Sequence, residues 1–573
     1  MLFLPLLFLA SSVNAADLGE QVDFNVDSEY DVDDRSQLMA SLRVIGEHIY
    51  FYVEDDYWNS LNTVNRNILR NVLRELADEF DNVIYPKERA AFGSEWNPGI
   101  DNDKRITVLV SRLVSKAGGY FNVYDEYPKS SIPSSNQREM FYLNVSSVLS
   151  VDSKAYIAHE FQHLISFYQK TILYGLTEEV WLNEARSEYA PTLCGYNNVY
   201  AKSYLADRVD GFLDSPSDSL TEWKNELADY GAVSLFLHYL VGQYGTGILT
   251  KMTLNDKVGI ASIEQALTDS GYQESFADIF AGWQIANYLN DCQLEPKDKY
   301  CYTDKNLTYE RLHTDYSASY SGFPSLIVSR SSSVKDWSGR WYQFRQGTPQ
   351  STDRDMLKLD FSGLDGRSDF SVPYVVSGPN NETTISYISL NNQEGVVYVP
   401  NFSSLAKSVV IIPFNQYKKS GFNNSNSELS TAFSFTASSV EMEEVELPPE
   451  KPEPEKIYPD GSLLRAVGDY KVYIIKGGYK RWIQTAELFN MYGHLKWEDV
   501  IEVSSVQLAG YKESYLIRVF SDKRVYEMDA SGIKHWLNMT AEQFNLSGRD
   551  WGAVYMVNDF ERDYYETGSD VRE

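Results

Sequence analysis

The chain has 573 residues, 43% of them hydrophobic and 14% aromatic, which allows several packed cores and excludes a disordered protein. Its formal net charge of -30 repels phosphate groups, which sets aside nucleic acid and anionic lipid as partners. The plainest consequence of that charge is solubility.

Residues 1–15, "MLFLPLLFLASSVNA", read as a signal peptide, an apolar run ending in small residues with Val13 and Ala15 where a signal peptidase acts. No later stretch is long and apolar enough to span a bilayer, so no transmembrane segment is predicted. The mature chain is expected to start near Ala16 and to be secreted, either extracellular or associated with a cell surface. Residues 38–85 combine a strand pattern, "HIYFYVED", with a helical one, "NRNILRNVLRELADEFDNVI". A second strand is predicted in "RITVLVSRL", from Arg105, and after "GGYFNVYDEYP" a third in "MFYLNV", Met140 to Val145. Positions 153–170 predict a helix with Ala158, Phe161, Ile165 and Tyr168 in one apolar stripe. From about Glu178 to Asp291 the patterns are mostly helical. A mixed sheet followed by helices predicts an α+β domain over 16–305.

Within that domain "CQLEPKDKYC" places Cys292 and Cys301 in a polar loop, where an oxidising compartment favours a local disulfide. The third cysteine, Cys194, reads as a small buried hydrophobe. Over 306–439, short β-rich runs such as "RWYQFR", "MLKLDFSG", "GVVYVP" and "STAFSFTAS" alternate with Gly, Ser, Asn and Pro, the pattern of an all-β sandwich. Residues 440–459 form an acidic, proline-rich linker. The last segment, 460–573, holds two copies of one small module. Tyr473 matches Tyr526, Trp482 matches Trp536, Phe489 matches Phe544 and Trp497 matches Trp551. Such aromatics serve either as module cores or as a platform for a cell-surface or polymer ligand.

The predicted histidine helix carries "AHEFQHLISFY" from Ala158. His159 and His163 are at i and i+4, on one helical face, where two imidazoles can share one tetrahedral ion. Glu160 lies beside them, where it can take a proton from an activated water. A catalytic zinc needs a third protein ligand, and "EEVWLNEARSEYA" supplies Glu184 with room for a loop and a second helix in between. Glu188, one turn further on, can accept the free N–H of a ligand histidine. The competing interpretation is a solvated glutamate-rich face, which Trp181, Leu182 and Ala185 oppose. "DNDKR", Asp101 to Arg105, is the candidate place for a Ca2+ ion.

"HEFQH" followed by "WLNEARSEYA" resembles the gluzincin zinc metallopeptidases, and its shape is closest to hyicolysin-like bacterial peptidases. The resemblance spans about residues 38–300. It implies a zincin-like metallopeptidase fold for the α+β domain, one catalytic Zn2+ held by His159, His163 and Glu184, and Glu160 as the catalytic glutamate. It also implies an electrophilic tyrosine shortly before a later helix. Tyr230 in "ADYGAVSLFLHYLVGQYG" fits that place, against the alternative that it is a core tyrosine capping the helix. "MFYLNV" resembles the edge strand that precedes the histidine helix in zincins, to which an extended peptide adds as a strand. The expectation is therefore an exported zinc endopeptidase acting on proteins or peptides, with accessory C-terminal domains. The rival is a non-catalytic binding protein with a relic metallopeptidase domain.

Overall fold

The computed structural model describes residues 16–308, 318–323, 326–346, 355–364, 368–378, 382–402, 406–416, 429–441, 458–466, 471–503, 507–508, 510–520, 522–529 and 532–572. Residues 1–15, expected as a signal peptide, and most of the expected acidic linker lie outside the described residues.

The first sheet has six strands: β1 (Gln21–Asn25), β2 (Gln37–Ile45), β3 (Ile49–Glu54), β4 (Ile106–Ser111), β5 (Gly119–Phe121) and β6 (Met140–Asn144), in the order β1-β2-β3-β4-β6-β5. β3, β4 and β6 run parallel, and their apolar sequences are buried on both faces, as central parallel strands require. One face, with Phe51, Val108 and Phe141, packs into the main helical core. The other, with Tyr52, Leu109 and Tyr142, is covered by Phe24 of β1 and Leu38 of β2. β1, ahead of the expected start of the pattern, thus belongs to the sheet.

"MFYLNV" is not the edge. β6 lies between β4 and β5, and β5 pairs antiparallel with it as the free margin. Three residues in a Gly-rich, Tyr-rich stretch carry too little alternation to announce a strand.

Helices α1 (Asp55–Ser60), α2 (Thr63–Glu79) and α3 (Tyr85–Phe92) cross from β3 to β4. After β6 come α4 (Val145–Val148), α5 (Ser153–Ser166), α6 (Val180–Cys194), α7 (Tyr204–Asp214), α8 (Leu227–Tyr244), α9 (Gly247–Leu254), α10 (Gly259–Thr268) and α11 (Phe276–Leu289). α5 is buried on every side rather than along one stripe, with Ile157, Ala158, Phe161 and Ile165 all at 0% exposure. It continues through a π-helical turn, Phe167–Ile172, where the buried ammonium of Lys170 donates to the carbonyls of Met252 (2.7 Å), Asn255 (2.8 Å) and Lys257 (2.7 Å). That pin fixes the end of the histidine helix to the segment after α9. Cys292 and Cys301 form a disulfide, and Cys194 is free and buried.

Beyond the helices, a four-stranded and a five-stranded antiparallel-rich sheet enclose Tyr342, Phe344, Leu359, Phe361, Ile411, Phe433 and Phe435. Trp337 and Phe414 from this β region pack edge-on against Phe276 and Phe280 of α11, with ring centroids 4.7 to 5.3 Å apart. Residues up to Val445 therefore form one compact unit with a shared core across position 305.

Glu446–Glu573 is the second compact unit. Its two copies repeat the same contacts. Tyr473 faces Trp482 across a hairpin, and Tyr526 faces Trp536 in the same way. Phe489 stacks on Trp497 at 4.0 Å and Phe544 on Trp551 at 4.1 Å. In each copy a first strand is joined in parallel by the strand after that Trp, Leu463–Ala466 with Val500–Val503 and Leu516–Val519 with Tyr555–Val557. Among the described residues no helix is long and apolar enough to cross a membrane.

Candidate functional site

His159, Glu160 and His163 lie on α5, and Glu184, Ser187 and Glu188 on α6. The turn between the helices is tied to α6 by the fully buried Arg186, which donates to Glu178 at 2.8 Å, and by Trp181 Nε1, which donates to Glu179 at 2.7 Å. The two helices pack so that two imidazole nitrogens and one carboxylate meet. His159 Nε2 and His163 Nε2 are 3.2 Å apart, Glu184 Oε2 is 3.4 Å from the first, and Glu184 Oε1 is 3.6 Å from the second. Oε2 of Glu184 is buried, with His159 Nε2 as its nearest polar neighbour. Two imidazole lone pairs at this distance repel unless a proton or a cation lies between them. His159, His163 and Glu184 could therefore hold one small cation.

The outer nitrogens of both rings are also occupied. The Ser187 hydroxyl donates to Gln162 Oε1 at 2.7 Å, so it accepts from His163 Nδ1 at 3.2 Å. Glu188 Oε1 is 3.4 Å from His159 Nδ1. These partners hold a proton on Nδ1 of each ring and turn both Nε2 atoms inward. Glu188 is itself held: Tyr204 donates to Oε1 at 2.8 Å and Arg208 Nε donates to Oε2 at 2.8 Å. Ser187, Tyr204 and Arg208 escaped the sequence reading. The signal was present as a hydroxyl one turn past Glu184 and as Tyr204 and Arg208 at i and i+4.

Glu160 is buried against the sheet margin: a Cβ placed on Gly119 of β5 would lie 2.9 Å from its Oε1. Phe121 of β5 lies parallel to the His163 ring at 6.4 Å. Tyr230, in the first turn of α8, is half-buried, with its hydroxyl donating to Asn225 Oδ1 at 2.7 Å and the Arg208 guanidinium 4.9 Å over its ring. His238, two turns further on, is elsewhere. Its Nδ1 donates to the Ser234 carbonyl at 2.7 Å and its Nε2 meets Thr192 Oγ1 at 2.8 Å, a satisfied core histidine.

Charges follow this layout. Burial opposes a charged His159, but its hydrogen bond to Glu184 and the carboxylates of Glu160 and Glu188 outweigh it and push the ring up to about 9. Burial lowers His163 to about 4. Burial also pushes Glu160 up to about 8, against the pull of His159. Glu184 is held below the usual range because His163 and His159 outweigh its burial. The Tyr230 phenol is raised by burial and then by Glu184 and Glu188, so it keeps its proton. Tyr30, stacked on Tyr120, is raised by burial, by Asp27 and by Glu160. The second group of possible ligands, Cys292, Asp298 and Cys301, has both its thiols spent in the disulfide.

No family model matches the chain, and no curated protein matches it. Among solved structures the chain is similar to the Yersinia pseudotuberculosis-derived mitogen, at 11% identity over 20% of this chain and 85% of that one, with a TM-score of 0.14. It is also similar to a family GH115 4-O-methyl-alpha-glucuronidase with specificity for decorated arabinogalactans, at 9% identity over 58% of this chain and 51% of that one, with a TM-score of 0.12. Likenesses this low carry no argument, so the chemistry is read from the site itself.

Proposed function

We propose that the protein is an exported zinc-dependent endopeptidase of the gluzincin type, with a zincin-like catalytic region formed by the six-stranded sheet and α5 to α8. The observation that carries this is the convergence of His159 Nε2, His163 Nε2 and Glu184 with Glu160 beside them. A tetrahedral ion with bonds of about 2.0–2.1 Å requires ligand atoms about 3.3 Å apart. The two imidazole nitrogens are 3.2 Å apart, close to that edge, and the Glu184 carboxylate lies against both, with one oxygen 3.4 Å from His159 and the other 3.6 Å from His163.

Zinc supplies Lewis-acid chemistry here, acidifying water and polarising a carbonyl. The protein's own residues do the rest. Glu188 and Ser187 orient the two imidazoles and keep their lone pairs on the cation side. Glu160, whose burial holds its proton up to about pH 8 in the metal-free chain, ionises at lower pH beside a dication. Its carboxylate takes a proton from the attacking water and passes it to the amine nitrogen of the leaving peptide. Tyr230 donates its O–H to the oxyanion that develops on the scissile carbonyl. The free margin of β5, next to Glu160, offers backbone groups to an extended substrate. An intact Glu160 speaks against a relic domain that only binds.

Casein hydrolysis by the full chain, before and after a chelator and after zinc is restored, tests the reading. Activity that is lost with the chelator and returns with zinc supports it. A zinc-loaded protein that leaves casein and unfolded peptides uncut contradicts it.

A further inference from the structure

The repeated aromatics of the C-terminal unit are not all core. Phe489 and Phe544 are 1% and 2% exposed, but the indoles stacked on them, Trp497 and Trp551, are 46% and 43% exposed. Each indole lies close to parallel with its phenylalanine, at 22° and 28°, so one face is covered and the exposure belongs to the other. Each is also pinned at its edge. Trp497 Nε1 donates to Asn490 Oδ1 and Trp551 Nε1 donates to Asn545 Oδ1, both at 2.9 Å. Asn490 follows Phe489 and Asn545 follows Phe544, so ring, support and pin recur together in both copies.

Packing explains the inner face of each indole and leaves the outer one without a role. With its N–H already donated to asparagine, the indole offers only its π face. Polar groups flank it: Lys496, Glu498 and Asp499 are exposed beside Trp497, and Asp550 beside Trp551. In the second copy Trp551 also lines a cavity of about 210 Å³ with Phe544, Trp536, Thr540, Lys523 and Arg524. Arg524 lies 5.9 Å from the Trp536 ring centroid. Lys471, at the matching place of the first copy, lies 4.8 Å from the Trp482 ring centroid, and the two line another cavity of about 220 Å³ with Tyr515 and Glu513. Flat aromatic faces thus stand beside hydrogen-bond donors and acceptors in both copies.

A pyranose ring has the complementary chemistry. Its C–H groups form a weakly positive face that rests on the negative face of an indole, and its rim of hydroxyls both donates and accepts. We propose that the C-terminal unit binds a polysaccharide of pyranose units, with Trp497 and Trp551 as two equivalent stacking platforms. A polymer of repeating units matches a duplicated site. The two copies share one hydrophobic cluster, in which Leu488 and Phe489 of the first meet Ile517 and Tyr526 of the second, so one packed unit carries both platforms. Rings already fixed by a phenylalanine and an asparagine lose little freedom when a ligand stacks on them. The platforms are separate from the histidine cluster and do not depend on the peptidase reading.

The test is native electrophoresis of the full chain through gels holding hydroxyethylcellulose, xylan or glucomannan as neutral polymers, or polygalacturonate or alginate as acidic ones. The expected result is retardation by at least one of them, and the group that retards tells a neutral polymer from a uronate one. The double variant Trp497→Ala, Trp551→Ala should lose at least about 30-fold in affinity for that polymer, the effect of truncating a tryptophan at the centre of a binding site. Calorimetry with a hexasaccharide of the same polymer should show each single variant binding half as much as the wild type. Phe520→Ala, which removes a ring 93% exposed outside the two stacks, should bind as the wild type does. Absence of retardation of the wild type by all of these polymers overturns the proposal without reference to any variant. So does a double variant that is retarded as strongly as the wild type. The rival occupant is a proline-rich peptide: tryptophan fluorescence that responds to poly-L-proline and to none of the glycans also overturns it.

Discussion

Glu188 never touches the three converging ligand atoms, yet replacing it should weaken metal binding. The side chain is 1% exposed, between His159 Nδ1 at 3.4 Å and Arg208 Nε at 2.8 Å. Glu188→Gln keeps the shape and one acceptor oxygen but removes the charge. If the amide oxygen stays towards His159 and Tyr204, its NH2 faces the Arg208 guanidinium, donor against donor. Loss of an outer partner of this kind costs about 10 to 100-fold in metal affinity, or about 1.4–2.8 kcal/mol. Breaking one side of a buried ion pair costs about 3–5 kcal/mol of folding stability; Arg208 keeps some exposure, so the lower end applies. Zinc affinity is read by competition with a chromophoric chelator, and stability by urea unfolding of the metal-free chain. Glu188→Gln combined with Arg208→Met separates the two effects. Stability should recover because no charge is left unpaired, while zinc affinity stays low. An affinity within twofold of wild type in Glu188→Gln, or one that recovers together with stability, refutes the orienting role.

Glu184→Ala should lower zinc affinity beyond the roughly 100-fold ceiling of an outer partner, because two imidazoles hold the ion poorly; metal analysis after dialysis checks it, and near-stoichiometric zinc would remove Glu184 from the ligand set. Tyr230→Phe should cut turnover about 10²–10³-fold with zinc content unchanged, whereas His238→Gln should act on stability and leave turnover near wild type; the opposite pattern would reverse the two roles. Zinc binding at pH 7 should release at least about one proton, because His159 is held up to about 9 in the metal-free chain and must lose its proton to ligate. Affinity should therefore fall as pH drops below 9, and calorimetry in buffers of different ionisation heat counts the proton; a count near zero contradicts the assignment.

The face that gathers the histidines and carboxylates was legible because its spacing is set by one helix period. His159 and His163 at i and i+4, and Glu184 and Glu188 at the same interval, need only a helix to point together. The central strands were legible for a similar reason, since "RITVLVSRL" and "MFYLNV" are apolar runs long enough to cross a core. What stayed hidden depends on tertiary pairing. β5 is three residues long, and its place beside β6 makes it the margin next to Glu160. β1 is polar along most of its length and is a strand because β2 pairs with it. Tyr204 and Arg208 reach the site only through the packing of α7 against α8, which in turn packs on α6. The aromatic repeat, by contrast, was visible from identity of spacing alone, and each copy makes the same Phe–Trp stack.

The central claim is that Glu160 moves the proton of a zinc-dependent hydrolysis, and Glu160→Gln tests it most directly. Zinc content and casein cleavage should be measured on the same preparations of wild type and variant. The account predicts one zinc per chain in both, cleavage by the wild type, and none by the variant, since the glutamine amide keeps the shape but cannot accept the proton. A zinc-loaded variant that cleaves at the wild-type rate would contradict it.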